Sequence, residues 1–107
     1  MIYKKNKLIL DNFDISFLAK KYKTPIYCYS LRMIRENIKK LKIQFKNFNP
    51  LICYAVKANS NLNILKEIKN QDLGADVVSI GEMMKALKAG IKPKKIVFSG
   101  VGKTSTE

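Results

Sequence analysis

From Leu51 onward the chain alternates apolar runs of strand length with amphipathic stretches of helix length, and this rhythm limits its fold more than any other feature. The run Ile52-Cys53-Tyr54-Ala55-Val56 has no glycine or proline and predicts a strand buried on both faces. Asn59-Ser60-Asn61 then supplies caps for a helix that turns Leu62, Leu65 and Ile68 inward, and Gly74 breaks it. Asp76 begins a second short strand through Ser79. Ser79-Ile80-Gly81-Glu82 has the S-x-x-E form of a capping box, in which serine and glutamate each satisfy a free backbone N–H. The helix it opens buries Met83, Ala86 and Leu87, ends at Gly90 and is followed by Pro93. Ile96-Val97-Phe98-Ser99 predicts a third strand, Gly100 and Gly102 the turn after it, and Thr104-Ser105-Thr106-Glu107 a second box of the same kind. Strands separated by single helices lie parallel, wind right-handed and are covered by those helices. Three such units leave both sheet edges open, whereas a closed eight-unit barrel takes roughly 250 residues. The expectation is an α/β fold. Residues 30–107 are expected to form the first three βα units of a partial (β/α)8 barrel, the front portion of a larger enzyme.

Residues 1–29 read as a segment leading into that barrel, a helix and a strand before the helix that opens it. Asp11-Asn12 and Asp14 cap a helix whose Ile15, Leu18, Ala19 and Tyr22 make one apolar stripe. Thr24-Pro25 stops it, and Ile26-Tyr27-Cys28-Tyr29 predicts a strand. Ser30 caps a second helix that sets Leu31, Ile34, Ile38, Leu41 and Phe45 on one face, away from Arg32, Arg35, Lys39 and Lys42. Asn47 to Pro50 make a turn.

Lys57 ends the first apolar run. Lysine is almost never fully buried without a partner, so this position asks for a reason. A desolvated lysine keeps a neutral amine and can form a Schiff base with a carbonyl. A strand-end lysine can equally run its stem along apolar surface and hold its ammonium in water.

Formal charge is +13, from 21 basic and 8 acidic residues. Of the 21, 19 are lysines spread from Lys4 to Lys103, and only Arg32 and Arg35 are arginines. Base-reading interfaces lean on arginine, and no nucleic-acid-binding signature appears, so the charge reads as a solvated lysine-rich surface. The competing reading, a small basic module without catalysis, requires salt-sensitive binding to nucleic acid. Cys28 and Cys53 sit in apolar runs and are expected as buried, reduced thiols; two lone cysteines make no metal site. The N-terminus has no apolar core of a signal peptide and no run reaches membrane length, so no membrane partner and a cytoplasmic location are expected.

Three motifs in register carry a resemblance: Tyr54-Ala55-Val56-Lys57-Ala58-Asn59, Asp76-Val77-Val78-Ser79-Ile80-Gly81-Glu82, and Ile96-Val97-Phe98-Ser99-Gly100-Val101-Gly102-Lys103-Thr104. Together they are similar to the pyridoxal-phosphate decarboxylases built on the alanine-racemase type of barrel. Thr24-Pro25-Ile26-Tyr27 extends the similarity over nearly the whole sequence. Residues 98–103 look most like the diaminopimelate branch; ornithine or arginine decarboxylases and racemases share the fold. The resemblance implies pyridoxal 5'-phosphate as cofactor, bound as a Schiff base on Lys57, and an amino-acid substrate that loses its α-carboxylate as CO2. It implies a homodimer with a site shared between subunits. It also implies a ring-stacking histidine, a glycine-rich phosphate site and a cysteine from a β-rich domain; the sequence has no histidine, and neither Cys28 nor Cys53 lies where that cysteine falls. These residues alone are therefore expected not to decarboxylate anything. Asp76 matches an acidic position near the cofactor or serves as a strand-start turn residue. Glu82 matches a family acid or only completes its capping box. Asn59 lines the site mouth or caps a helix, and Ser99 and Gly100 lie at the strand end where barrels keep their sites.

Overall fold

The computed structural model describes residues 2–105. They form two compact units that divide between Asn37 and Ile38.

The first unit is built on a feature absent from the sequence-based expectation, a small antiparallel sheet. Strands β1 (Ile2–Lys4), β2 (Lys7–Leu10) and β3 (Phe13–Asp14) follow in order. Lys4 pairs with Lys7 and Leu10 with Phe13, so each hairpin turns on two residues. All four turn residues have positive φ: Lys5 48°, Asn6 59°, Asp11 49° and Asn12 72°. That double left-handed geometry matches the twist of flanking strands, and Asn and Asp tolerate it best after glycine. Asp11-Asn12 is thus a hairpin turn, and the helix cap is Asp14 alone, whose Oδ1 accepts from the Ser16 amide at 2.8 Å. Helix α1 (Ile15–Tyr22) follows. The strand expected over Ile26–Tyr29 does not form; the backbone has no ladder partner there, Tyr27 is 90% exposed, and Cys28 is exposed rather than buried. Ser30 does cap helix α2 (Leu31–Gln44), its Oγ accepting from the Met33 amide at 2.9 Å. The buried Ser30 hydroxyl also donates to Asp11, which receives the Arg32 guanidinium at 3.1 Å.

The second unit realises the expected rhythm. Strands β4 (Cys53–Ala55), β5 (Gly74–Val77) and β6 (Ile96–Phe98) form a parallel sheet with β5 in the centre. Helices α3 (Leu62–Asn70) and α4 (Ile80–Lys88) connect them. Side chains alternate across a strand, so Ala75 and Val77 share one face of β5, and both are fully buried. With Val56, Ile64, Leu65, Ile68, Ala86 and Ile91 they make the core. Full burial of a side chain such as Leu65 or Ile68 contributes about 1.5–3 kcal/mol. Gly74 is the first residue of β5 rather than simply a helix breaker, because α3 already ends at Asn70. Asp76 sits inside β5, not at its start. The β4 residues are half-buried instead of buried on both faces, since β4 is an edge strand with only β5 beside it. Of the apolar stripe predicted for α2, Ile38 is buried and Ile34 half-buried, whereas Leu31, Leu41 and Phe45 are exposed. Met83 and Leu87 of α4 are half-buried beside the buried Ala86. The box predicted at Thr104–Glu107 runs past the described residues.

Candidate active site

The second face of the parallel sheet carries a single carboxylate, Asp76, among small and apolar residues. Cys53 lies opposite Gly74, Ala55 opposite Asp76, and Asp76 opposite Val97. These residues share the face opposite Ala75 and Val77. Gly74 keeps β5 close to both neighbours: a Cβ there would stand 2.3 Å from the Lys95 carbonyl oxygen and 2.7 Å from the Cys53 Sγ. Burial first, and the Asp76 carboxylate second, push the Cys53 thiol above its ordinary pKa. Cys53 is half-buried and, like Cys28, free.

The C-terminal ends of the strands place the remaining candidates. After Ala55 the chain leaves the sheet in a single 3-10 turn, Val56–Ala58. Val56 is fully buried and anchors this turn, which leaves Lys57 exposed. The desolvated lysine expected at a strand end is therefore not found: the amine is presented to solvent from a turn. Ser99 follows β6, and its backbone amide donates to Val77 O at 2.9 Å, carrying the β5–β6 pairing one residue further. Its hydroxyl donates to Asp76 Oδ1. Next to it Gly100 lies against β5 so closely that a Cβ would meet the Val78 carbonyl oxygen at 2.4 Å. The structure thus brings Asp76 and Ser99 into contact and sets Lys57 two residues beyond Asp76's partner, Ala55.

Glu82 and Asn59 are engaged with backbone. Ser79 Oγ accepts from the Glu82 amide at 3.3 Å, while the Glu82 carboxylate accepts from the Val78 amide at 2.9 Å. This is the predicted capping box with its second bond moved one residue upstream. Asn59 does not cap α3. The cap is Asn61, whose Oδ1 accepts from the Asn63 amide at 2.9 Å; Asn59 Oδ1 holds the Asn61 amide at 2.9 Å. Two supports escaped the sequence reading. The Tyr54 hydroxyl donates to Asn59 O at 3.1 Å, tying β4 to the chain just past the lysine turn. The Lys103 ammonium donates to Phe98 O at 3.2 Å and lies 5.4 Å from the Phe98 ring centre, holding the turn after β6. Neither has a local signal, because each depends on where the backbone turns back.

The sequence model of one family, described as pyridoxal-dependent decarboxylase, pyridoxal binding domain, matches residues 31–107. The chain belongs to this family. A diaminopimelate decarboxylase from Helicobacter pylori is 55% identical over 95 residues, which cover 89% of this chain and 24% of the relative. A diaminopimelate decarboxylase from Aquifex aeolicus is 42% identical over 98% of this chain and 24% of its own length. Among solved structures, one from Aquifex aeolicus superposes with a TM-score of 0.93 at 42% identity, covering 99% of this chain and 26% of that one. The Helicobacter pylori diaminopimelate decarboxylase crystallised with L-lysine superposes with a TM-score of 0.81 at 51% identity, covering 88% of this chain and 24% of that one. The chain therefore spans about a quarter of the length of these relatives. Among the described residues, no helix is long and apolar enough to cross a membrane, and no group of three His, Cys, Asp or Glu is placed to hold a metal ion.

Proposed function

We propose that residues 30–107 are the opening βα units of a pyridoxal-phosphate-binding barrel in a decarboxylase acting on meso-diaminopimelate and releasing L-lysine and CO2. The observation that carries the reading is the position of Lys57. It is the exposed amine on a buried anchor, at the strand end that also bears Asp76 and Ser99, within the segment matched by the pyridoxal-binding model. The residues fit the cofactor's aldehyde, which needs an accessible primary amine, and Lys57 presents one from its turn.

Pyridoxal phosphate supplies an aldehyde that condenses with a primary amine and a ring that accepts electrons as a carboxylate leaves. Lys57 would hold the cofactor through its Nζ, and the same Nζ, once free, would be the group able to carry a proton at this end of the sheet. Asp76 presents a carboxylate on β5 that accepts from the Ser99 hydroxyl. Glu82 and Asn59 act on backbone: one fixes the start of α4, the other the approach to α3. The high identity to the diaminopimelate enzymes favours that substrate over ornithine or arginine; an arginine decarboxylase structure is 25% identical.

The test is reduction with borohydride of the full-length protein incubated with pyridoxal phosphate, followed by peptide mapping. A reduced adduct on Lys57 is expected, together with lysine production from meso-diaminopimelate that Lys57→Ala abolishes. An adduct confined to other lysines overturns the assignment.

A further inference from the structure

We propose that Ser99 is a positioning residue, whose hydroxyl fixes the rotamer of the Asp76 carboxylate at the cofactor end of the sheet. The inference rests on the reading of Lys57 given above. Three observations converge on it. Asp76 pairs with Val97 across β5 and β6, so Ser99, two residues on, projects from the same face one step diagonally along. The Ser99 amide bonds to Val77 O at 2.9 Å, and Gly100 seats the following residue against the Val78 carbonyl, so the backbone of Ser99 is held on both sides. The hydroxyl then donates to Asp76 Oδ1.

This contact has a consequence for the chemistry. A carboxylate has two oxygens and a broad χ2 well, so nothing intrinsic tells it which oxygen to turn toward a neighbouring cation. With Oδ1 held by Ser99, Oδ2 is the oxygen left for other partners. The titratable group that feels this carboxylate is the Cys53 thiol on β4, while Lys57 leaves the neighbouring strand two residues beyond Asp76's partner Ala55. Cys53 is pushed toward its neutral form by burial and by Asp76 itself, so it does not compete as a cation partner. On the Lys57 reading the cofactor end of the sheet carries the Lys57 nitrogen, and Ser99 sets which oxygen of Asp76 is free to face it, without itself touching the reacting atoms.

The test compares Ser99→Thr with Ser99→Val in the full-length protein, two side chains of nearly equal shape that differ by one hydroxyl. The pH at which the visible band of the bound cofactor changes is read by absorbance, and kcat and KM are read separately. In Ser99→Val the band transition is expected to move up by about one pH unit and kcat to fall about tenfold, the scale of one hydrogen bond to a charged group. KM changes less, and Ser99→Thr stays at wild type. In an Asp76→Asn background the Thr and Val forms are expected to be indistinguishable. Equal band transitions in Ser99→Thr and Ser99→Val, or a difference between them that persists with Asp76→Asn, overturn the proposal. A wild-type protein with no cofactor band fails the Lys57 reading instead, and is recognised before any variant is compared.

Discussion

Gly74→Ala probes the sheet that carries the candidate site. Glycine has no φ requirement there; what it supplies is room. The added Cβ would stand 2.3 Å from the Lys95 carbonyl oxygen on the β6 side and 2.7 Å from Cys53 Sγ on the β4 side. Carbon and carbonyl oxygen ordinarily approach no closer than about 3.3 Å, so relief on the β6 side alone asks for a movement of roughly 1 Å. That is about a fifth of a strand spacing of about 4.8 Å. The Lys95 carbonyl is backbone at the entry to β6 and cannot yield like the end of a flexible side chain, which places the cost in the upper part of the about 1–3 kcal/mol range for overpacking. Restricting the unfolded chain by a glycine-to-alanine change returns about 0.4–1 kcal/mol. The net expectation is a local destabilisation of about 2 kcal/mol. Hydrogen exchange of the Ala75, Asp76 and Val77 amides reads it directly, as exchange roughly 30-fold faster at tenfold per 1.4 kcal/mol. Cys53→Ala combined with Gly74→Ala removes the sulfur contact but leaves the Lys95 carbonyl in place, so rescue is partial. Unchanged exchange in Gly74→Ala, or complete rescue by Cys53→Ala, would refute the argument that the β6 backbone sets the limit.

Two further outcomes follow from charge and burial. The Ser30 hydroxyl, with Arg32 behind it, holds the Asp11 carboxyl below its ordinary pKa. A carboxyl depressed on folding stabilises the folded state above its unfolded value and loses that contribution as pH falls through the folded value. Ser30→Ala is expected to return Asp11 toward the ordinary carboxylate range in a carbon-13 titration, and an unmoved titration would show that Ser30 is not the main cause. Alkylation with iodoacetamide at mildly alkaline pH is expected to reach Cys28 first, because Cys28 is exposed while burial and Asp76 keep the Cys53 thiol protonated. Asp76→Asn should quicken Cys53 labelling without making it match Cys28; labelling of Cys53 as fast as Cys28 in the unaltered protein would contradict the burial assigned to it.

What was legible in the sequence depended on whether the signal was local. The βα rhythm after Leu51 is legible because each element carries its own period and its own cap: Ser79 accepts from the Glu82 amide and Glu82 from the Val78 amide, all within five consecutive residues. The antiparallel sheet was missed although its signal was present: Lys5-Asn6 and Asp11-Asn12 are two-residue turns with left-handed backbone, and Asp11-Asn12 was assigned to a helix that needs only Asp14. Ile26–Tyr29 failed for the opposite reason. β-branched and aromatic residues describe what fits a pleated, half-buried surface, and no strand among the described residues offers that run a ladder. Lys57 follows the apolar run as its sequence position implies, but its surroundings differ from the expectation. The apolar run suggested desolvation, but the run ends in a turn whose burial is taken entirely by Val56, so the same residues that make the strand apolar push the next side chain outward. Asp76 and Ser99 stand 23 residues apart, and no spacing rule joins them; only the register of β5 and β6 does. A site assembled at the ends of parallel strands is therefore readable as a set of strand-end residues and unreadable as a set of contacts. Each contact is fixed by a pairing register, which a sequence leaves open until a position such as Gly74 or Gly100 shows how closely two backbones must approach.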